Sequence, residues 1–398
     1  MYSTPRPNGH RPPLHILILS DRDWTHPQGG GTGTNLFAQV SRWIAWGHRV
    51  SVIACSYPGA APVERHGQLT LHRVGGRSTV FPRAILRQWR GLVPDADVVL
   101  EVVNGITFLT PLWLRSPRVT LVHHIHREHY VREMGLAGRV AAFVLETLPL
   151  KLLYHRSRFL TISNSSAEGI AAHGIPRERI ATGYIGVEHG AFWPDASRRA
   201  PVPTILYLGR LKRYKRLEIL LDVLEHSPEA VLEIAGDGDH RAALEAEIDA
   251  RGLRERVRMH GHVSEERKRE LFQSAWVNVT ASSAEGWCLT VMEAAVCGTP
   301  SAALAVGGLP ESIDDGRTGV LAHDPGELAE RVRAVLLDEE LRESLGRAAR
   351  ERAAEFTWDA TAGHTLSVLE AECGRAAEPA RAQPAALPIP DEAPAPRA

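Results

Sequence analysis

The chain has 398 residues, 44% of them hydrophobic, which is enough to bury the cores of two domains. Its formal net charge of -1 gives no general case for a nucleic-acid partner. None of the four cysteines forms a CxxC pair, which argues against a disulfide framework or a zinc cluster and fits a reducing cytoplasm. The first 13 residues lack the apolar core of a signal peptide, and no transmembrane segment is expected either.

The first part of the chain alternates between predicted strands and helices after a flexible start over residues 1–13. Residues 14–20 (LHILILS) form a predicted buried strand, and a glycine-rich loop, a helix over about 34–46 and a strand over 50–54 follow. Further strands are predicted at 98–102, 119–123 and 158–162.

Glycines dominate residues 28–34 (QGGGTGT), after the first predicted strand. Such a run lets the backbone approach a ligand closely, and the start of the next helix favours an anion. A dinucleotide-binding fingerprint is disfavoured, because the glycines begin nine residues after Ser20 and Leu36 takes the last position of the frame. A flexible loop remains the alternative.

Residues 81–93 (FPRAILRQWRGLV) mix three arginines with isoleucine, leucine and tryptophan side chains. A segment of this kind can rest on an anionic membrane. A solvated helix face packed on the domain is the favoured interpretation, and peripheral contact with the inner face of a membrane is the alternative.

Four histidines lie close together in residues 122–129 (VHHIHREH), at the end of a predicted strand. A metal site is disfavoured, because alternate strand residues point to opposite faces and no Cys or Asp joins them. A polar cluster at the strand end is preferred, with a structural role as the alternative for any single histidine. Residues 163–165 (SNS) end another strand and are expected to cap the next helix.

A second series of strands and helices begins after residues 185–203, which lack periodicity. Because strands that alternate with helices form parallel sheets covered on both faces, we predict the α/β class, with two doubly wound, Rossmann-like domains that face each other across a cleft. Ligands are expected at the carboxyl ends of the strands. The strands of this half are predicted at 204–208, 231–235, 257–260, 277–280, 301–304 and 320–322.

The predicted organisation has two domains and a tail. The N-terminal domain covers 14–190, on the acceptor side, and a linker covers 191–203. The C-terminal domain covers 204–356, and a helix over 357–373 can pack back on the first domain. Residues 374–398 are rich in proline and alanine and are expected to be disordered.

A basic loop over residues 209–215 (GRLKRYK) follows the first strand of the second domain. Arg210 and Lys215 can place two cations on one leaving phosphate, the arginine as a fork and the lysine as a point charge. A solvated loop is the alternative, but only four lysines occur among 46 basic residues, which favours function. Residues 235–238 (AGDG) are typical of a tight turn, although their backbone could approach a nucleotide.

Residues 284–300 (AEGWCLTVMEAAVCGTP) are the most informative part of the chain. Glu285 and Glu293 are eight residues apart. A helix is predicted to start after Glu285, and the Gly-Thr-Pro sequence at residues 298–300 ends it. A helix that begins near Trp287 exposes free N–H groups, which attract phosphate. Glu285 then lies in the preceding loop and Glu293 one to two turns inside the helix. A surface helix with two solvated acids is the alternative for this segment alone.

Taken together, these segments resemble the retaining glycosyltransferases of family 4, which have the GT-B fold. The resemblance spans about residues 14–370. The pair of glutamates with CGTP is its most specific part, GRLxxxK supports it, and the glycine loops are weak by themselves. The segments that carry it are GGGTG, VHHIH, TISNSS, GRLKRYK, IAGDG, EGWCLTVMEAAVCGTP and VGGLPESIDDGRTGVL.

The resemblance implies a role for each site residue. Glu285 would contact hydroxyls of the donor sugar, and Glu293 would bind the ribose. Arg210 and Lys215 would hold the diphosphate, and His123 would lie under the reacting sugar. Further donor contacts would come from Gly31, Thr32, Gly33, Gly209, Gly236, Gly238, Gly286, Trp287, Cys288 and Leu289.

Two positions depart from the family pattern. The family usually has glycine where Cys288 stands, which affects the sugar and phosphate contacts. It usually has Asn-Gly where Ile185-Gly186 stands, which affects the interdomain turn.

The implied reaction moves a hexosyl unit from a nucleoside-diphosphate sugar to an acceptor hydroxyl, with retention and same-face attack. No metal or cofactor is expected, because cations and helix dipoles neutralise the leaving diphosphate. His123 would orient groups and need not be the base. The acceptor would be a glycan, a lipid-linked glycan or a specialised metabolite, in polysaccharide or natural product biosynthesis. A GT-B sugar-nucleotide epimerase or hydrolase is the alternative, and a scaffold is disfavoured by the retained glutamates and cations.

Overall fold

The computed structural model describes residues 12–93, 95–123, 139–140 and 143–374. The chain divides into two compact α/β units. The first contains the described residues up to Gly186 together with those from Phe356 onwards, and the second spans Val187–Glu355. No helix in the described ranges is long and apolar enough to cross a membrane.

The first unit is built on an eight-stranded sheet. Its strands are β1 (His15–Leu19), β2 (Arg49–Ala54), β3 (Val63–His66), β4 (Leu69–Arg73), β5 (Val98–Val103), β6 (Arg118–Val122), β7 (Arg158–Thr161) and β8 (Ile180–Thr182). They are arranged in the order β3-β4-β2-β1-β5-β6-β7-β8, and the strand order reverses at β1. Every pair is parallel except β3 with β4 at one edge.

Three of these strands, β3, β4 and β8, are absent from the sequence prediction. β3 is exposed and polar, and β8 has only three residues at the other edge of the sheet. Such strands lack the apolar run that marks a buried parallel strand, and pairing with a neighbour defines them instead.

In the described part of the first unit, six α-helices accompany this sheet. The last one packs on the first: the Trp43 indole N–H donates to Ala362 O at 2.9 Å, and Arg42 forms an ion pair with Asp359. The C-terminal helix thus belongs to the first unit. The helices are α1 (Gly30–Ala45), α2 (Val80–Trp89), α3 (Thr110–Trp113), α4 (Leu148–Leu153), α5 (Asn164–Ala171) and, from the C-terminal segment, α13 (Trp358–Glu372).

Helix α1 begins at Gly30, four residues before the predicted start, so the glycine run forms its first turn and is not a loop. Gly33 packs against the chain at Trp24, where a Cβ would lie 3.1 Å from Trp24 Cα. The glycines therefore let the helix start close to the segment that precedes it. Ser163 caps α5 as predicted, since its hydroxyl accepts from Ser166 N at 3.1 Å.

The second unit is built on a six-stranded sheet in which every pair is parallel, as predicted. Its strands are β9 (Thr204–Leu208), β10 (Val231–Ala235), β11 (Val257–Gly261), β12 (Val277–Thr280), β13 (Ser301–Leu304) and β14 (Gly319–Ala322). Their order is β11-β10-β9-β12-β13-β14, so the order reverses between β9 and β12. In such sheets ligands bind beside the carboxyl ends of the strands at this point.

Seven helices cover the second sheet. They are α6 (Glu218–Glu225), α7 (Arg241–Ala250), α8 (Glu265–Ser274), α9 (Leu289–Val296), α10 (Leu309–Ser312), α11 (Pro325–Leu337) and α12 (Glu339–Ala353). Helix α9 is buried along most of its length and packs on α8 and α12.

Candidate active site

Two loops leave the second sheet side by side where its strand order reverses. β9 ends at Leu208 and β12 at Thr280, and the two strands pair in parallel. The loops are held together by two hydrogen bonds: Ser283 N donates to Tyr214 O at 2.8 Å, and the Arg216 side chain donates through Nε to Ala281 O at 2.9 Å. The basic loop and the loop that carries Glu285 are therefore neighbours.

This arrangement pairs Lys215 with Glu285. The Lys215 ammonium donates to the Glu285 carboxylate, which also accepts from the Ser282 hydroxyl at 2.8 Å. Both side chains are largely buried, at 14% and 12% exposure. Burial acts to lower the pKa of Lys215, but the adjacent Glu285 charge, together with smaller contributions from Tyr214, Tyr207 and Cys288, raises that pKa well above its usual value. The lysine is therefore cationic at neutral pH.

Arg210 lies at the start of the same loop and is exposed. The Tyr207 hydroxyl donates to Arg210 O at 3.0 Å and so holds the backbone. Within the described residues the guanidinium of Arg210 makes no ion pair, which leaves its N–H donors available to an anion.

The second glutamate, Glu293, is the fifth residue of α9 and is buried. Its Oε1 lies 2.6 Å from Nζ of Lys268, on the neighbouring helix α8. Its Oε2 is buried and, within the described part of the chain, has no hydrogen-bond partner. Burial raises the pKa of Glu293, and the Lys268 charge limits that rise.

Sequence analysis missed Lys268. A signal was available, because the chain has only four lysines and two of them, Lys215 and Lys268, are the partners of the two glutamates. The pairing itself depends on how α8 packs on α9, which no local pattern reveals.

Helix α9 begins at Leu289, two residues after the predicted start, and no side chain among the described residues forms a capping hydrogen bond with it. Its N-cap residue, Cys288, adopts the left-handed conformation (φ 80°) that favours glycine. Burial raises the pKa of its thiol to about 11, so the thiol is protonated at neutral pH. The Trp287 side chain is buried, and its contact with a donor stays a prediction.

A second glycine pair supports the Glu285 loop. Gly308 N donates to Glu285 O at 2.8 Å. A Cβ at Gly307 would lie 2.1 Å from Glu285 O, and one at Gly308 would lie 2.0 Å from Gly286 O. Only glycine allows the two backbones to approach this closely, and the contact positions the start of α9.

The glycines of the basic loop and of the AGDG turn also pack on each other. A Cβ at Gly236 would lie 1.9 Å from Gly209 O, and one at Gly238 would lie 2.1 Å from Leu211 O. Their small size therefore serves loop packing at the sheet edge. Contact of these glycines with a donor stays a prediction.

The remaining predicted site residues belong to the first unit. His123 directly follows β6, and its Nε2 lies 2.9 Å from Asn35 Nδ2 on α1. Asn35 Oδ1 accepts from Gln39 at 2.8 Å, and Ser166 donates to His123 O at 2.8 Å, so the histidine is held in place from two helices. Sequence analysis missed Asn35, whose signal is a polar residue on the buried face of an amphipathic helix.

Gly31, Thr32 and Gly33 lie in the first turn of α1, with Gly31 exposed and Gly33 buried. The other histidines of the predicted cluster, at positions 124, 126 and 129, lie outside the described residues. Over the described ranges no group of three or more side chains could hold a metal ion.

Comparison with known proteins covers both units. Residues 194–352 match the family model of glycosyl transferases group 1. Residues 30–186 match the family model of the glycosyl transferase 4-like domain.

Curated relatives agree with these matches. The chain is 32% identical over 282 residues to the D-inositol 3-phosphate glycosyltransferase of Xylanimonas cellulosilytica, covering 64% of this chain and 68% of that protein. It is 31% identical to the enzyme of the same name from Mycolicibacterium smegmatis, covering 68% of this chain and 66% of that protein.

Solved structures show the fold. Sucrose-phosphate synthase from Thermosynechococcus elongatus superposes with a TM-score of 0.78 at 20% identity, covering 91% of this chain and 100% of that one. Anabaena HepE in complex with UDP and glucose superposes with a TM-score of 0.71 at 18% identity, covering 90% of this chain and 100% of that one. Each of the two α/β units is matched by its own glycosyltransferase family model, and the relatives and solved structures agree with both matches. The chain therefore belongs to the family 4 glycosyltransferases of the GT-B fold.

Proposed function

We propose that this glycosyltransferase transfers a hexosyl unit from a nucleoside-diphosphate sugar to an acceptor hydroxyl, with retention of the anomeric configuration. The observation that carries the proposal is the juxtaposition of Arg210, the Lys215–Glu285 pair and the uncapped start of α9 at one sheet edge. It is supported by relatives named D-inositol 3-phosphate glycosyltransferases and by a structural neighbour bound to UDP and glucose.

Departure of the diphosphate is the step that this edge suits. Arg210 offers a fork of donors and Lys215 an ammonium. The free N–H groups at the start of α9 add the positive end of the helix dipole. These groups act on charge that grows as the glycosidic bond to the phosphate breaks, so they stabilise the transition state more than the ground state.

The two glutamates are assigned to the two ends of the donor. Glu285 lies beside Lys215 and before α9, where its carboxylate can accept from hydroxyls of the sugar. Glu293 lies one turn inside α9, and its Oε2, which has no hydrogen-bond partner among the described residues, can accept from a ribose hydroxyl. A buried acceptor without a partner is unfavourable in the protein alone, so a ligand hydroxyl that binds it contributes to affinity.

In the proposed mechanism the acceptor hydroxyl attacks from the face that the diphosphate leaves. The carbon–oxygen bond to the phosphate breaks, the new glycosidic bond forms, and the acceptor proton passes to the departing phosphate. The role that the resemblance gives to His123, orientation of groups at the reacting sugar, stays a prediction.

The proposal is tested by incubating the protein with nucleotide sugars, first alone and then with candidate acceptors. Nucleoside diphosphates, sugars and lipid-linked glycans are separated, and the anomeric configuration of the product is read by NMR. We expect acceptor-dependent product with the configuration of the donor. Rapid release of free sugar without any acceptor dependence would favour the hydrolase alternative, and an altered nucleotide sugar would favour the epimerase.

Metal independence is a separate prediction. The cations of the basic loop and the start of α9 can neutralise the diphosphate, so activity in excess EDTA should equal that in untreated enzyme within about twofold. The measurement is initial rate with and without chelator, followed by addition of Mg²⁺ or Mn²⁺. Complete loss of activity in EDTA that these ions restore would contradict the prediction. It would favour a metal site among the histidines of residues 122–129.

Contact with a membrane is part of the proposal for a lipid-linked acceptor. Helix α2 and the turn after it expose large apolar side chains next to arginines, an arrangement that suits an anionic lipid surface. The exposed residues are Leu86, Trp89 and Leu92, with Arg83 and Arg90. A cytoplasmic location at the inner face of the membrane fits the four cysteines, which form no disulfide in the described structure.

We expect Trp89→Ser to reduce the affinity of the protein for vesicles that contain phosphatidylglycerol, measured by sedimentation, by about 30-fold, because an exposed tryptophan contributes about 2 kcal/mol on leaving water. Leu112→Ser, at another exposed apolar residue of the first unit, is the matched control. Equal sedimentation of all three proteins, or none by the parent, would contradict membrane contact through α2.

A further inference from the structure

Lys268 has no place in the function proposed so far, although its environment is unusual for a lysine. Its side chain is only 14% exposed, and its ammonium lies 5.3 Å from the centroid of the Phe192 ring. Burial of an ammonium is costly unless it is paired, and the Glu293 carboxylate at 2.6 Å is the buried partner. The other carboxylate in reach, Glu265 at 3.5 Å, is 73% exposed and contributes little.

The pair is asymmetric in a way that points to a ligand. Lys268 occupies Oε1 of Glu293, while Oε2 is buried and, within the described residues, without a partner. A pair that served stability alone would satisfy both oxygens, because an unpaired buried acceptor is unfavourable. One oxygen thus holds the carboxylate in place, and the other is available.

We propose that Lys268 is a positioning residue for nucleotide binding, which holds the Glu293 carboxylate by Oε1 so that Oε2 accepts a ribose hydroxyl of a nucleoside diphosphate. This inference rests on the proposed function, which assigns Glu293 to the ribose. Lys268 acts through Glu293 and does not itself contact the nucleotide.

The charges around the pair define what happens when the lysine is removed. In the described structure the charged groups that act on Glu293 are Lys268 and Glu265, both from α8, and the Cys297 thiol, which also interacts with Glu293, directly follows α9. Burial already raises the pKa of Glu293, and loss of the Lys268 charge would raise it further. The neutral carboxyl is the weaker acceptor. Nucleotide binding by the variant should therefore strengthen as the pH rises, whereas the parent should vary little.

A double-mutant cycle tests this inference. The probe is whichever of UDP, GDP and ADP gives the largest thermal stabilisation of the parent, with its 2′-deoxy and 3′-deoxy analogues. Calorimetry gives Kd between pH 6 and pH 9 for the parent, Lys268→Leu, Glu293→Gln and the double variant. Glu265→Gln, which removes the exposed partner of the same lysine, is the matched control. Circular dichroism and thermal unfolding report the fold of each variant.

We expect Lys268→Leu to weaken binding by about tenfold, as for loss of a hydrogen bond to a charged group, and to abolish discrimination against one of the deoxy analogues. In the Glu293→Gln background the same change should alter Kd by less than about twofold, because the effect passes through the carboxylate. Lys268→Arg should restore part of the affinity, and Glu265→Gln should leave it unchanged. Where Lys268→Leu does not fold, the double variant and Lys268→Arg complete the comparison, because neither leaves an unpaired buried charge.

Unchanged binding in Lys268→Leu, or an equal loss in both backgrounds, would overturn the inference, since the lysine would then be idle or in direct contact with the ligand. A different result would contradict the proposed function itself: the parent protein would bind none of the three nucleotides. Binding by the parent that Glu293→Gln leaves intact would remove the ribose role of Glu293 and the role of Lys268 with it.

Discussion

Arg210→Ala is expected to lower kcat by about 100-fold or more while the protein keeps its fold. The guanidinium is exposed and makes no ion pair with any residue that the structure describes, so its loss removes nothing from the folded state. What it removes is stabilisation of the charge that develops on the leaving diphosphate. Because that charge is largest in the transition state, kcat should fall more than donor affinity.

Lys215→Ala is expected to have a comparable effect on kcat for a partly different reason. It removes a cation and also leaves the Glu285 carboxylate largely buried without its ion-pair partner. Rates at saturating donor, with circular dichroism for the fold, provide the measurement. Arg213→Ala, at an exposed arginine of the same loop, is the matched control and should retain activity within about threefold. If the Arg210 and Lys215 variants both keep the kinetics of the parent, the phosphate assignment is wrong.

The second large effect separates the two glutamates. Glu293→Gln should weaken binding of the free nucleoside diphosphate by about tenfold to 100-fold, because a charge-assisted hydrogen bond to the ribose is lost. Glu285→Gln should leave that affinity nearly unchanged, since the free nucleotide has no sugar for this carboxylate to hold. It should instead lower transfer and reduce the preference for one sugar over another.

Calorimetry with the bare nucleotide and kinetics with several nucleotide sugars measure these two effects. Glutamine keeps the shape of the side chain, so the comparison is less affected by the cavity that alanine would leave. Equal weakening of the bare nucleotide by both variants would contradict the division of roles and would leave the pair as support for the start of α9.

Much of the fold could be predicted because buried parallel strands are continuous apolar runs. In the second unit, four strands have the predicted bounds: Thr204–Leu208, Val231–Ala235, Val277–Thr280 and Ser301–Leu304. The edge strand Val63–His66 has no such run, and its pairing with β4 defines it. The start of α1 was misplaced for a related reason, because glycine propensity indicates a loop and the close contact of Gly33 with Trp24 decides otherwise.

Local sequence patterns are enough to predict which side chains are available for the chemistry. The spacing of Glu285 and Glu293 around a short helix, and of Arg210 and Lys215 in one loop, is local information that hydrophobic patterning and helix signals can read. Local patterns also place the loop of Arg210 and Lys215 at the end of a buried strand, and in an α/β sheet this is where ligands bind.

The pairing of these side chains depends on long-range packing. Lys215 and Glu285 are 70 residues apart, and they meet because β9 and β12 are neighbours in the sheet although two strands separate them in the chain. Lys268 and Glu293 meet because α8 packs on α9. The strength of an ion pair depends on distance and burial, and both follow from the strand order and helix packing of the whole unit, which no local pattern in the sequence contains.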